Sequence, residues 1–161
     1  MSKAFGIAFG AAILVIAVLI WTGFEKTKGN HLLPAGSIGK VRTAQVDDNT
    51  TFMVVDFNVR NDSDRPMVVR NIGAVFELRD GSFVEGSTIA ARDVAAAFHA
   101  YPLLGEQFNP VLKERDTIEP HQSVDRMVGL RFDAPGDAVD NRKRVVLKIE
   151  DITGPVLEMA K

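Results

Sequence analysis

The run AFGIAFGAAILVIAVLIWTGF, Ala4 to Phe24, holds 21 residues without a charged side chain, and it governs how the rest of the chain is read. At 1.5 Å per residue, about 20 residues span the roughly 30 Å of a hydrocarbon layer. A helix apolar on every side gains nothing in water. In lipid it satisfies its backbone groups internally, which is the condition for crossing. The run predicts a single transmembrane helix at residues 4–24, with Trp21 and Phe24 at the membrane interface, just before Glu25, Lys26 and Lys28. It exceeds the 7–15-residue apolar region of a signal peptide, and no A-x-A-like site follows it, so an uncleaved signal-anchor is expected. The chain has no cysteine, which removes lipidated thiols, disulfides and Cys-ligated zinc from consideration.

Gly6 and Gly10 form a G-x-x-x-G, with Ala8 and Ala12 as a second small pair. Small residues four apart let two helix backbones approach, which makes this face a candidate homodimer seam. The plainer reading is that glycine and alanine are common in membrane spans. Lys3 lies on one flank and Lys26 and Lys28 on the other, so flanking charge does not fix the orientation. An N-terminal apolar segment ahead of a large domain commonly acts as an export signal. The domain is therefore expected on the extracytoplasmic face, at the inner membrane and periplasm in a bacterium.

All acidic residues and every basic residue except Lys3 follow Phe24, in a chain of net charge −2. With signs interspersed and no basic excess, nucleic acid is not an expected partner. Residues 25–39, punctuated by Gly29, Asn30, Pro34, Gly36 and Gly39, predict a flexible tether with a reach of roughly 20 Å. From residue 40 to 161 the pattern alternates. Met53, Val55, Phe57 and Val59 share one face of a strand whose other face carries Asp56, Asn58 and Arg60. Asn61–Pro66 predicts a turn, and a strand follows with Val68, Ile72, Ala74, Phe76 and Leu78 inward and a bulge at Asn71–Gly73. Asp80–Gly81 predicts a hairpin turn into a short strand at Ser82–Glu85. Strands are also expected near Lys40–Val46, at Met127–Phe132 and at Arg144–Glu150, the last two separated by a turn-rich loop. Six or seven strands with polar outer faces predict an antiparallel β-sandwich. One helix interrupts them: Val94, Ala97, Phe98 and Tyr101 recur at helical spacing within Ala90–Tyr101, and Pro102 ends it.

The segments FNVRNDSDRPMVV and IEPHQSVDRMVGLRFDAP (Ile118 to Pro135) resemble the strand-turn-strand pattern of small immunoglobulin-like domains. These include the late-embryogenesis-abundant/water-stress type and related bacterial membrane-anchored domains of unknown function. The resemblance covers about two-thirds of the chain. It implies an immunoglobulin-like β-sandwich that binds or scaffolds without catalysis, with the helix as an insertion. His121 stands where that pattern has glycine, which puts the type of that turn in doubt.

The local signatures of chemistry are missing. His31, His99 and His121 show no metal-ligand spacing, and the acidic pairs lack an EF-hand pattern. No G-x-S-x-G, P-loop or G-x-G-x-x-G is present, and Ser82, Ser87 and Ser123 have no nucleophile context. Neither an enzyme nor a cofactor is expected. The segment around α-helical Val94, Phe98 and Tyr101, with Leu103 and Leu104, either covers the end of the sandwich or forms a contact surface. The functional expectation is an interaction or envelope-support module confined to the bilayer surface beside another membrane or envelope protein. The alternative is a carrier holding a small apolar ligand between helix and sandwich, against Phe98, Tyr101 and Leu104.

Overall fold

The structure, a computed structural model, describes residues 34–161. The transmembrane helix expected at 4–24, with Gly6, Gly10, Trp21 and Phe24, lies outside the described residues, as does the tether up to residue 33. Among the described residues, no helix is long and apolar enough to cross a membrane.

Eight strands run β1 (Ala35–Asp47), β2 (Thr50–Arg60), β3 (Met67–Glu77), β4 (Phe83–Thr88), β5 (Thr117–Ile118), β6 (Ser123–Phe132), β7 (Arg144–Asp151) and β8 (Val156–Ala160). Helix α1 (Ala91–Ala100) and a 3-10 turn at Pro102–Leu104 separate β4 from β5, and a short helix α2 (Gly136–Asp140) precedes β7. The strands pair antiparallel in the order β1-β2-β6-β4-β3-β7-β8, with β5 against the start of β3. One layer is β1-β2-β6 and the other β3-β7-β8. The fold is a β-sandwich.

β4 joins the layers at one side. Its first half pairs with Ala74–Glu77 of β3, and its second with Leu130–Phe132 of β6. Gly86 pairs with both neighbours, and a Cβ there would lie 2.5 Å from the Phe132 ring. Only a residue without a side chain lets the strand turn over that ring. Between the layers, Met53, Val55 and Phe57 of β2 and Val128, Leu130 and Phe132 of β6 pack with Phe76 of β3 and with Val145, Leu147 and Ile149 of β7. Phe76 and Phe132 meet edge to face at 4.9 Å.

Three departures from the sequence reading have physical causes. β1 begins at Ala35, so residues 35–39 of the expected tether are strand. Glycine punctuation there reflects close packing, because a Cβ on Gly36 would meet Met159 Sδ at 2.6 Å. The bulge in β3 falls between Val69 and Asn71, one residue earlier than expected. It inverts the phase, so Met67 and Val69 are buried before it and Ile72, Ala74 and Phe76 after it, with Val68 only partly covered. β8 and β5 were not anticipated. β8 alternates over only five residues, too short a run to stand out by period alone.

The Glu119–Gln122 turn answers the question raised by His121, which adopts φ of 58°. That backbone is left-handed although the residue is not glycine, and the ring Nε2 sits 3.0 Å from Asp64 Oδ1. Left-handed geometry costs an L-residue about 1–2 kcal/mol, most for β-branched side chains. His121→Gly is expected to leave stability within about 1 kcal/mol of the parent, whereas His121→Val lowers it by about 1–2 kcal/mol. Urea denaturation of the two variants checks this.

Candidate functional site

The outer face of the β1-β2-β6 layer is not solvated. Ala44 of β1, Val54 of β2 and Met127 of β6 form a second apolar cluster with Val94, Ala97, Leu104 and Val111. The helix therefore covers a sheet face and not the end of the sandwich. α1 has no side-chain N-cap, with Asp93 in its first turn and His99 in its last. A ten-residue helix is marginal by propensity, so its stability comes from the buried stripe and only slightly from the dipole. Tyr101 leaves helical geometry at φ −122° ahead of Pro102. Gly129 of β6 makes the close approach possible, since a Cβ there would lie 2.4 Å from Val94 Cγ2.

Under this cover sits a buried ion pair. Arg42 faces Val54 across the β1-β2 ladder, which places Asp56 on its diagonal, within reach of a long side chain. Arg42 Nη2 is 2.6 Å from Asp56 Oδ2, with the side chains 5% and 10% exposed. Arg42 Nη1 donates to the carbonyls of Leu104 and Glu106, both at 2.7 Å. Asn109 Nδ2 donates to Asp56 Oδ1 at 2.9 Å. The guanidinium carbon lies 4.9 Å from the ring centre of Phe98 and 5.7 Å from that of Phe108, close enough for cation–π attraction. Arg42 Nε is buried without a hydrogen-bond partner. Arginine suits this place because its planar fork bonds a carboxylate and two carbonyls while its faces stack on rings. The connection then closes against β6, where Met127 N donates to Pro110 O and Leu112 N to Met127 O.

The five residues singled out in sequence thus divide. Val94 and Leu104 are fully buried and offer no surface to a partner. Phe98 and Tyr101 are half-buried, the first over Arg42 and the second edge-on to Phe52 at 5.8 Å. Leu103 alone of the five stands in solvent, 87% exposed, and Phe108 joins it at 65%. Sequence reasoning missed Arg42, Asp56, Asn109 and Phe108. Asp56 had a signal, as a carboxylate set inside an otherwise apolar strand.

The alternative reading set a carried ligand against Phe98, Tyr101 and Leu104; the Arg42 guanidinium lies against the Phe98 ring there. A cleft of about 340 Å³ opens instead at the start of α1, walled by Ile72, Thr88, Ile89, Val111, Leu112 and Val128. Ser123 Oγ donates to Asn58, while His121 faces Asp64. Among the described residues, no three His, Asp or Glu side chains gather as a metal ion requires.

No protein-family model matches the chain, and no curated protein does. Three solved structures are similar to it. An uncharacterised β-sandwich protein from Clostridium difficile 630 is 10% identical, aligned over 80% of this chain and 85% of that one, with a TM-score of 0.42. An ApaG protein from Pseudomonas aeruginosa PAO1 is 15% identical over 71% of this chain and 91% of that one, at 0.36. The archaellum periplasmic stator protein FlaG from Sulfolobus acidocaldarius is 12% identical over 80% and 98%, at 0.34. At these scores the likenesses are loose, and the architecture rests on the strand pairing itself.

Proposed function

We propose that this chain is a membrane-anchored, non-enzymatic interaction module whose contact surface is the loop after α1. One observation carries the reading: Leu103 and Phe108 are held in solvent by a loop whose backbone is bonded to a buried arginine. Exposed apolar side chains on a mobile loop would lose ordering entropy on binding. On a pinned loop that loss is already met by folding. Large apolar and aromatic side chains at the centre of a contact supply most binding energy.

Within this proposal the order β1-β2-β6 against β3-β7-β8 corresponds to strands A-B-E against C-F-G of an immunoglobulin-like sandwich. We keep here also the likeness to anchored domains of the late-embryogenesis-abundant type. The apolar run at 4–24 would supply the anchor, with the domain on the extracytoplasmic side. Confinement to the bilayer raises the effective concentration of a protein partner in the same membrane, so a modest contact suffices.

The test is co-purification from detergent-solubilised membranes with the full-length chain, wild type beside Leu103→Asp/Phe108→Ser. Both residues are exposed and Phe108 gives up only its cation–π contact with Arg42, so stability should change by no more than about 1 kcal/mol, while a bound protein partner should fall about tenfold or more. A partner retained at full yield by the variant would sink the reading. The cleft walled by Ile72, Val111 and Val128 supports a second reading, a carrier of a small apolar molecule. Native mass spectrometry of the same preparation would then show a tightly held adduct and no protein partner.

A further inference from the structure

A second concave site lies where the other open sides of the two layers meet. Its walls are Gly39, Lys40 and Val41 of β1, Asp140 at the end of α2, Arg142 to Arg144 leading into β7, and Lys161 after β8, around a volume of about 350 Å³. Five cationic side chains converge there in a chain whose net charge is −2. The asymmetry comes from the run Asn141-Arg142-Lys143-Arg144, which the topology brings opposite Lys40 and Lys161. An average over the whole chain conceals it.

The cations are not all engaged alike. Glu77 of β3 takes up two of them: Lys143 Nζ and Arg144 Nε each lie 2.6 Å from its carboxylate. Their hydrogen bonds, Lys143's first, hold the Glu77 carboxyl below its usual range. Glu77 therefore stays ionised and keeps those two charges occupied. Arg142 donates only to the Val139 carbonyl, at 2.7 Å, and Lys161 Nζ to the Gly39 carbonyl. Lys40 makes no ion pair among the described residues. Asp140 is the acid facing this group, and its carboxylate already accepts from Thr43 Oγ1 at 2.9 Å. Glu77 and Asp140 together offset two of the five charges, which leaves a surplus of positive charge in a concave wall. A cleft focuses that field and concentrates counter-ions.

We propose that this cleft binds a phosphate-bearing anion, with Lys40, Arg142 and Lys161 as its contacts. Several cations around one small hollow suit a compact anion, and a guanidinium fork matches the paired oxygens of phosphate. Two sources carry that chemistry: the headgroup of an anionic phospholipid and a free phosphoester. None of the groups that bond or stack on the Arg42 guanidinium lines this cleft, so it is separate from the interaction surface proposed above.

The test uses the full-length chain in neutral-detergent micelles at low ionic strength, titrated with inorganic phosphate and separately with phosphatidylglycerol mixed into the micelles. Backbone amide shifts are followed at Gly39–Val41 and Arg142–Arg144. Saturable shifts centred there are expected, weakened by added salt. Lys40→Gln/Arg142→Gln should weaken binding about tenfold, and Lys113→Gln, a cation elsewhere on the surface, should leave it unchanged. Lys40→Gln alone, with a loss of about threefold, serves if the Arg142 variant does not fold. Stronger binding in the phosphatidylglycerol arm identifies the headgroup, and stronger binding of inorganic phosphate identifies a free ligand. Absence of saturable shifts with both probes, or an equal loss in Lys113→Gln, overturns the proposal.

Discussion

Replacing Asp56 by alanine is expected to destabilise the sandwich by about 3–5 kcal/mol, because it leaves the Arg42 guanidinium buried without its counter-charge. Arg42 is only 5% exposed, so water cannot take the carboxylate's place without opening the cover. Asn109 loses its acceptor in the same step. The double variant Arg42→Met/Asp56→Leu should recover most of that loss, since removing both charges removes the desolvation penalty along with the attraction. Loop order should not recover with it. The carbonyls of Leu104 and Glu106 receive their bonds from Arg42, and methionine has no donor to replace it. Chemical denaturation measures the first effect, and hydrogen exchange at residues 102–109 the second. A double variant as stable as the parent, with the loop still protected, would show that the ion pair does not organise the loop.

The second large effect concerns the corner where β4 passes between layers. Phe132→Ala should lower stability by about 3–5 kcal/mol, the usual result of emptying a buried aromatic site. The ring is fully buried, meets Phe76 edge-on and lies directly under Gly86. Gly86→Val should itself cost about 1–3 kcal/mol by overpacking. Because a Cβ at position 86 would run into the Phe132 ring, the two changes share one volume. In the Phe132→Ala background, Gly86→Val should therefore cost clearly less than it does alone. Equal costs in both backgrounds, read from urea midpoints, would mean that β4 does not turn over this ring.

How much of this was legible beforehand depends on what each residue's neighbours add to its own pattern. β2 announced itself through Met53, Val55, Phe57 and Val59, because one-sided burial writes period two directly into the sequence. Helix α1 was visible for the same reason at its own period, and Pro102 marked its end. The ion pair was not visible. Asp56 read as the polar outer face of a half-buried strand, and only the placement of α1 over that face makes it interior. Arg42 and Asp56 are fourteen positions apart, and no local rule joins them until the hairpin register is known. Phe108 lies in an irregular segment, where period carries no information. The basic cleft was hidden by averaging: opposite signs cancel along the chain, but the fold gathers five cationic side chains around one hollow.

The most direct measurement of the central claim is site-specific photo-crosslinking in intact membranes, with a photoreactive residue placed in the full-length chain at 103, at 108 and, as a control, at 113. All three positions are exposed, and only the first two belong to the apolar pair on the pinned loop. A discrete protein adduct of the same mass from positions 103 and 108, absent at 113, is the predicted result. Adducts equal at all three positions, or none at 103 and 108, would contradict the assignment of this loop as the contact surface.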